Sequence, residues 1–272
     1  MRIALYQGPA DSGTVASNLG LMEERAREAA SLGAHLLVLP EMFLTGYNLG
    51  RDRVHALAEP AAGPSAQAAS AIAQRHGIAL LYGYPERDGD AIYNAALLID
   101  SEGQRRANYR KAHLFGPDER VTFVPGDSVA TVVPIGGLQV GILICYDVEF
   151  PESVRLLALA GAELVAVPTA LMPPYEFVPA SMIPTRAFEN QVFVAYANRC
   201  GEENGLRYIG QSCVAAPDGS VLAAAGTDST LIVADLDPLR YGASRDANTY
   251  FRDRRPELYA PLASERDDTA KS

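Results

Sequence analysis

The chain has 272 residues, of which 48% are hydrophobic and 21% are charged, and its formal net charge at pH 7 is −10. This length and composition are those of an ordinary globular protein with one large domain or two small ones. The negative charge argues against nucleic acid or an anionic membrane as a partner, because both are bound through basic patches. It is compatible with a cationic small molecule, although acidity is also a common solubility feature.

The sequence shows no secretory signal peptide, and its longest apolar runs have only the length of strands. Its three cysteines, Cys145, Cys200 and Cys213, have neither metal-ligand spacing nor the even number of a disulfide framework. We therefore expect a cytoplasmic protein with reduced thiols and no metal site.

In the first half of the chain, apolar runs typical of strands alternate with helical patterns. The predicted elements are a strand at 2–7, a helix that ends near Gly33, a strand at 35–40, a helix at 65–76, a strand at 78–84, and two hairpins that turn at 101–103 and at Gly136-Gly137.

The second half repeats this alternation. It predicts a helix at 151–160, a strand at 163–168, a helix that starts near Pro184, a strand at 192–198, a hairpin over 210–226 and a strand at 230–237. The late helix start rests on Pro179 and Pro184, since proline interrupts a helix interior. No linker divides the chain, so we predict one layered α/β domain over 1–262 and a polar tail at 263–272.

Three polar residues stand where predicted strands end. Glu41 follows the strand at 35–40, Lys111 follows the second strand of the first hairpin, and Cys145 follows the strand that ends in "GILI". Each has an ordinary structural interpretation, since a single cysteine is usually buried filler and a single Glu or Lys is usually solvated. Sheets of α/β proteins present their ligands at strand ends, which favours a shared site.

The combination has a definite chemistry. A thiol is a strong nucleophile only as thiolate, and a carboxylate within reach can remove its proton. An ammonium group beside both can stabilise the oxyanion that forms when the thiolate attacks a carbonyl or nitrile carbon. Acyl transfer from nitrogen to water then needs neither metal nor cofactor.

Three segments carry a resemblance to a known family. The stretches "LLVLPEMFLTGYN" (36–48), "NYRKAHLFGPDE" (108–119) and "GILICYDVEFPE" (141–152) resemble, in order and spacing, the signature segments of the nitrilase superfamily of carbon–nitrogen hydrolases. The resemblance implies a four-layer α-β-β-α sandwich and a Glu-Lys-Cys triad of Glu41, Lys111 and Cys145. It also implies a second catalytic acid, Glu119, and a role for the Tyr146 N–H beside Lys111 in binding the oxyanion.

Within the superfamily, the sequence is most similar to the branch that hydrolyses 5-aminopentanamide in lysine breakdown. Many relatives carry Arg at the position of Glu149. The carboxylate of Glu149 either binds the terminal ammonium of the substrate or forms a structural ion pair with an arginine, and the sequence leaves both open. Tyr47, Tyr175 and Phe177 lie in loops that are candidates for walls of the pocket. The segment 186–191 resembles a helix at the family's subunit interface, which implies a homodimer or a higher homo-oligomer.

Other residues have mainly structural interpretations. We expect Asp147 to cap a turn, Asn94 and Asn198 to be buried amides that satisfy main-chain or loop groups, and Cys200 and Cys213 to be packing residues. His113 allows a Cys-His alternative, but Glu41 already supplies a base.

The leading hypothesis is an amidase that acts on a small amide. A nitrile, an N-carbamoyl compound or a 2-oxo acid ω-amide is the alternative substrate class. A non-catalytic binding protein on the same scaffold and a thiol–disulfide redox protein are weaker alternatives.

Overall fold

The computed structural model describes residues 1–9 and 14–264. The strands in this part are β1 (Arg2–Gln7), β2 (Leu36–Val38), β3 (Ala79–Asp88), β4 (Ala91–Ile99), β5 (Arg105–Arg110), β6 (Val132–Ile135), β7 (Leu138–Ile142), β8 (Leu164–Pro168), β9 (Phe193–Ala197), β10 (Cys200–Glu203), β11 (Leu206–Ile209), β12 (Cys213–Ala215), β13 (Val221–Ala224) and β14 (Thr230–Asp235). The α-helices in the same part are α1 (Val15–Ser31), α2 (Arg51–Leu57), α3 (Pro64–His76), α4 (Gly116–Thr122), α5 (Pro151–Leu159), α6 (Ile183–Asn190), α7 (Gly242–Ala247) and α8 (Tyr250–Asp253). Of the predicted tail at 263–272, residues 265–272 lie outside the described part.

Two six-stranded sheets form the body of the protein, with strand orders β14-β1-β2-β3-β4-β5 and β13-β12-β9-β8-β7-β6. In the first sheet β1, β2 and β3 are parallel, and in the second β7, β8 and β9 are parallel. The outer strands of both sheets pair antiparallel. Since β5 is antiparallel to β4 and β4 to β3, β5 runs in the same direction as β2, and both end at one edge.

The layers follow from the alternation of side chains along each strand. In β1, Ile3 and Leu5 pack into the core between the sheets, while Ala4 and Tyr6 pack with the buried faces of α1 and α3. On the far side, α5 and α6 cover the second sheet through residues such as Leu157. Each such leucine or isoleucine contributes about 1.5–3 kcal/mol on burial. The four-layer α-β-β-α sandwich is confirmed.

Most predicted elements occur where the pattern placed them. The strand at 2–7 and the helix at 65–76 match β1 and α3 closely. The predicted hairpin at Gly136-Gly137 joins β6 to β7, and both glycines have positive φ, +57° and +86°. A two-residue turn of this kind requires that conformation, which glycine adopts without strain.

The predicted start of the helix near Pro184 is confirmed, since α6 begins at Ile183. A π-helical turn, Val178–Met182, was not predicted; it precedes α6 and runs directly into it. Pro179 and Pro184 each stand near the beginning of their own helical segment, where the missing N–H of proline removes no helical hydrogen bond.

The hairpin β10–β11 was not predicted. Its turn consists of Asn204 and Gly205, both with positive φ. An Asn-Gly pair is a strong hairpin signal, but the flanking strands are short and carry charged residues, so the apolar alternation is weak. The short helices α2 and α4 were also missed, because each buries only one side chain, Val54 and Glu119.

In the described part of the chain, no helix is both long and apolar enough to cross a membrane.

Candidate active site

The three polar strand ends of the sequence meet between the two sheets. Glu41 lies just beyond β2 and Lys111 directly follows β5, so both come from the same edge of the first sheet. Cys145 follows β7 of the second sheet and opens a 3-10 helix, Cys145–Glu149. The Glu41 N–H donates to the carbonyl of Thr169, which follows β8, at 3.4 Å, and this contact joins the two sheet edges.

A buried cluster of charges forms around Lys111. Its Nζ lies 2.8 Å from Oε1 of Glu41 and 2.6 Å from Oε1 of Glu119. The side chains of Lys111 and Glu41 are fully buried and that of Glu119 nearly so. A lysine ammonium has three protons, and these two contacts use two of them. The third is free to donate to a group bound beside the cluster.

Glu41 keeps one oxygen free for chemistry. Oε1 accepts hydrogen bonds from Lys111 and, at 2.7 Å, from Nδ2 of Asn94. Oε2 is buried and has no hydrogen-bond partner in the described residues. Burial raises the pKa of Glu41, Lys111 opposes this shift and the charge of Glu119 adds to it. A carboxylate with one restrained oxygen and one unpaired oxygen of raised pKa is suited to accept a proton.

The same charges shift the pKa values of Lys111 and Cys145. Burial lowers the pKa of Lys111, but the carboxylates of Glu119 and Glu41 outweigh it, so that this pKa lies well above its ordinary value. Burial and Glu41 raise the pKa of the Cys145 thiol well above its ordinary value, against the opposing effect of Lys111. These shifts favour the ammonium form of Lys111 and the protonated form of the Cys145 thiol, so that formation of a thiolate requires a base.

The turn that carries Cys145 is strained. Cys145 has φ +46°, a left-handed conformation that non-glycine residues rarely adopt, and it is only 6% exposed. Such strain persists only where the surroundings hold it in place, and it is concentrated at functional sites. The strand therefore ends in a turn that presents the thiol to the buried cluster.

Asp147 fixes this turn, as predicted, and also binds the segment that carries Lys111. Its Oδ2 accepts from the main-chain N–H of Ile144 at 3.1 Å and from the hydroxyl of Tyr109 at 2.8 Å. Its Oδ1 accepts from the main-chain N–H of His113 at 2.8 Å, and Nδ1 of the same residue lies 2.8 Å away. Asp147 thus ties the cysteine turn to the segment that carries Lys111, and His113 serves this link and stacks on Phe150.

The predicted substrate-binding residues lie around this cluster. The Tyr47 hydroxyl donates to Oε1 of Glu119 at 2.7 Å. Tyr146 belongs to the first turn of the 3-10 helix, where main-chain N–H groups lack an intrahelical acceptor, and its ring packs edge-on against Phe115 and Phe150. Glu149 ends the same helix and is half-buried.

The carboxylate of Glu149 makes no hydrogen bond or ion pair within residues 1–9 and 14–264. Arg186 lies close, but its guanidinium donates to the main-chain carbonyls of Val148 and Glu149 and pairs with Glu189. Burial raises the pKa of Glu149, and Lys111 and Arg186 act against this shift. Among residues 1–9 and 14–264, no arginine forms the structural ion pair with Glu149 that the sequence left open.

A cavity of about 430 Å³ adjoins the cluster. Its wall includes Tyr47 and Glu119, together with Phe115, Met172 and Leu206. Tyr175 packs edge-on against Phe115 and Phe177 is 67% exposed, but neither lines this cavity.

Two buried amides have different roles. Asn94 satisfies a loop group, as the sequence predicted, since its Nδ2 donates to the carboxylate of Glu41 in the loop after β2. Asn198 matches the expectation, since Oδ1 accepts from the main-chain N–H of Leu171 and Nδ2 donates to the Gly210 carbonyl. Cys200 and Cys213 are buried, as expected. In the described residues, no group of His, Cys, Asp and Glu side chains is arranged to hold a metal ion.

A glycine on β3 allows the close approach of the segment that carries Glu41. A Cβ on Gly83 would lie 2.3 Å from the Met42 nitrogen and 2.8 Å from the Glu41 Cα. We expect Gly83→Ala to displace Glu41, to lower the turnover that depends on this site, and to cost about 1–3 kcal/mol of unfolding free energy. Urea unfolding measures the change in stability, and a turnover assay measures the change in activity.

Gly20 provides the matched control for this prediction. It lies in α1, is exposed, and a Cβ there would meet no atom within 4 Å. Gly20→Ala is expected to leave activity unchanged and to stabilise the protein by about 0.5–1 kcal/mol. Wild-type activity and stability in Gly83→Ala would contradict the close-packing role.

Similarity to known proteins identifies the family of this chain. The family model described as "Carbon-nitrogen hydrolase" matches residues 2–246. The chain is 56% identical over 264 residues to the "Hydrolase in pqqF 5'region" of Pseudomonas protegens, which covers 97% of this chain and 92% of that protein. It is 38% identical over 256 residues to an (R)-stereoselective amidase of Pseudomonas sp., with 94% and 92% covered.

Solved structures agree. The NitN amidase of Nesterenkonia sp. AN1 superposes with a TM-score of 0.84 at 39% identity, over 96% of this chain and 99% of that one. Other structures of the Nesterenkonia enzyme show acrylamide joined to an active-site cysteine and a complex with butyramide. The chain therefore belongs to the carbon–nitrogen hydrolase family, in the nitrilase superfamily, and is a hydrolase that acts on non-peptide C–N bonds.

Proposed function

We propose that this protein is a cysteine-dependent amidase whose substrate is a small aliphatic amide with a terminal ammonium, 5-aminopentanamide. The observation that carries the amidase chemistry is the buried carboxylate of Glu41, with one oxygen held by Lys111 and Asn94 and the other unpaired. The amidases among its relatives support the same reaction class.

In the first step, Oε2 of Glu41 accepts the proton of Cys145 as the sulfur attacks the amide carbonyl carbon. The negative charge that develops on the carbonyl oxygen is met by the third proton of the Lys111 ammonium and by the Tyr146 N–H. These donors are fixed before the reaction, because Glu41 and Glu119 hold Lys111 and the 3-10 helix holds Tyr146.

The tetrahedral intermediate then collapses. Glu41 returns the proton to the amide nitrogen, the C–N bond breaks, and ammonia leaves with the acyl group bound to Cys145 as a thioester. Glu41 next takes a proton from water, which attacks the thioester carbon, and the carboxylic acid leaves as the thiol is restored. Glu119 raises the pKa of Lys111 and keeps it charged throughout.

Glu149 supports the choice of a cationic substrate. Its unpaired carboxylate lies at the end of the helix that Cys145 opens, which places it a short distance from the nucleophile. Burial raises the pKa of Glu149 even though Lys111 and Arg186 oppose the shift, and a substrate ammonium in contact with the carboxylate would further stabilise its charged form. The ammonium of 5-aminopentanamide is separated from its carbonyl by a short methylene chain, which fits this arrangement.

The test compares 5-aminopentanamide with pentanamide, which lacks the ammonium. Glu149→Gln is expected to raise KM for 5-aminopentanamide about tenfold or more, because a charge-assisted contact of this kind contributes about 1.5–3 kcal/mol. The KM for pentanamide should stay nearly unchanged. The exposed Glu152 of α5 is the matched control, and Glu152→Gln should change the KM for neither amide.

Equal losses on the two amides would reject the recognition role of Glu149. A wild-type enzyme that prefers pentanamide would reject the ω-amino amide, and ammonia release across nitriles, N-carbamoyl compounds and 2-oxo acid ω-amides would then identify the substrate class. A chain that releases ammonia from no substrate in this panel would support the binding-protein alternative.

The homodimer and the cytoplasmic location stay predictions. The outer faces of α5 and α6 carry the exposed apolar side chains Leu156, Leu159 and Phe188, which is compatible with a contact between subunits.

A further inference from the structure

A second buried pair of charges lies behind the site and takes no part in the proposed chemistry. Arg199, fully buried, and Glu203, 6% exposed, stand at either end of β10. Their nearest atoms, Nη1 and Oε1, are 3.7 Å apart, and neither atom has a hydrogen-bond partner in the described residues. A buried ion pair is a weak contributor to stability, so its other contacts indicate its role.

Arg199 holds the segment that carries Glu41. Its Nε donates to the main-chain carbonyl of Glu41 at 3.0 Å, and its Nη2 donates to that of Met42 at 2.7 Å. Met42 has φ +51°, so the main chain here is in a conformation that needs support. The guanidinium fork thus fixes the backbone from which the Glu41 side chain projects.

Glu203 holds the loop that follows Met42. Its Oε2 accepts from the main-chain N–H groups of Tyr47 and Asn48, at 2.9 and 2.6 Å, and from the hydroxyl of Tyr208 at 2.8 Å. Gly46 packs against the same carboxylate, since a Cβ there would lie 2.3 Å from Oε1 of Glu203. The carboxylate therefore sets the position of the Tyr47 main chain.

Tyr47 links Glu203 to the buried cluster around Lys111. Its hydroxyl donates to Oε1 of Glu119, the oxygen that also contacts Lys111. The contacts close a ring that runs from Glu41 through Arg199, Glu203, Tyr47, Glu119 and Lys111 back to Glu41.

We propose that Glu203 is a positioning residue of this enzyme: by binding the main-chain N–H groups of Tyr47 and Asn48 it holds the Tyr47 hydroxyl on Glu119, and through this hydroxyl it keeps Glu119 at a fixed position on Lys111. This inference rests on the proposed roles of Glu41, Lys111 and Glu119. It adds a residue on β10, outside the three signature segments, on which the geometry of the reaction depends.

A double-mutant cycle of Glu203→Gln and Tyr47→Phe tests the inference. Two rates are measured in all four proteins: kcat/KM for an amide and the alkylation of Cys145 by iodoacetamide. In the wild-type background, Glu203→Gln is expected to lower kcat/KM about tenfold or more. When Tyr47 is already Phe, the same substitution should lower kcat/KM less than about threefold, because the Tyr47 hydroxyl is the group that links Glu203 to Glu119. The alkylation rate should show the same coupling.

The matched control is Glu202→Gln, since Glu202 is the exposed neighbour on the same strand. It should change neither rate. If Glu203→Gln does not fold, as judged by its thermal transition, Glu203→Asp keeps the charge but withdraws it from the Tyr47 N–H, and the same coupling is expected.

Equal losses in both Tyr47 backgrounds would overturn the inference and leave Glu203 as a purely structural residue. Coupled alkylation rates in an enzyme that turns over no amide would reject the proposed function and support the positioning role. The two failures are therefore distinguishable.

Discussion

Cys145→Ser is expected to abolish nearly all turnover, by at least about a thousandfold, while the protein remains folded. The pKa of the Cys145 thiol is already raised by burial, and a serine hydroxyl is far harder to ionise than a thiol. A carboxylate base such as Glu41 can take the proton of the thiol but not efficiently that of the alcohol. Ammonia release measures the loss, and thermal unfolding checks the fold.

Cys213→Ser is the matched control for this loss. Cys213 is buried in the core, and its sulfur lies 3.8 Å from the main-chain carbonyl oxygen of Pro179. The activity of the Cys213→Ser variant should remain close to that of the wild type. Stoichiometric alkylation should inactivate the enzyme and label Cys145 before Cys200 or Cys213. Near-wild-type turnover in Cys145→Ser would contradict the mechanism.

Glu41→Gln and Lys111→Met are each expected to remove most of the activity, and the double variant little more. Glu41→Gln removes the base, whereas Lys111→Met removes the donor to the oxyanion and the charge that stabilises the thiolate. Since these residues share hydrogen bonds and act as a unit, their effects should be far from additive. Losses in kcat/KM that multiply in the double variant would show that the two residues act independently.

The same cluster sets the pH dependence of the reaction. Glu41 must be ionised to accept a proton, and burial raises its pKa above the ordinary value of a glutamate. Activity is therefore present above this raised pKa and is lost as the pH falls through it. The acid side of the pH profile of kcat/KM should lie above the ordinary pKa of Glu, and a midpoint at or below that value would contradict the assignment of Glu41 as base.

The positions of Glu41, Lys111 and Cys145 after predicted strands favoured a shared site, because α/β sheets present their ligands at strand ends. The assignment of the three residues to one triad came from the resemblance of their segments to the nitrilase superfamily. The layers were predictable because apolar runs such as β1, which is buried on both faces, are interspersed with helical patterns, and this is typical of sheets covered by helices.

The contacts between distant segments were not predictable. The sequence predicted that Asn94 satisfies a main-chain or loop group but not that this group is the Glu41 carboxylate. The pairing of β3 with β4 brings the two side chains together, and this register is not visible in a single strand. Arg199 bonds the main chain of Glu41 across the whole fold. The signal for its hairpin, Asn204-Gly205, was present in the sequence, but its partners in the loop after β2 depend on the packing of the two sheets.

The thioester on Cys145 is best sought by an acid quench of the wild-type enzyme during turnover of 5-aminopentanamide, with mass spectrometry of the peptide that contains Cys145. We expect this peptide to carry a 5-aminopentanoyl group as a thioester, with release of ammonia before that of 5-aminopentanoate. Steady release of ammonia and 5-aminopentanoate with no acyl group on Cys145, together with normal turnover in Cys145→Ser, would refute covalent catalysis by this cysteine.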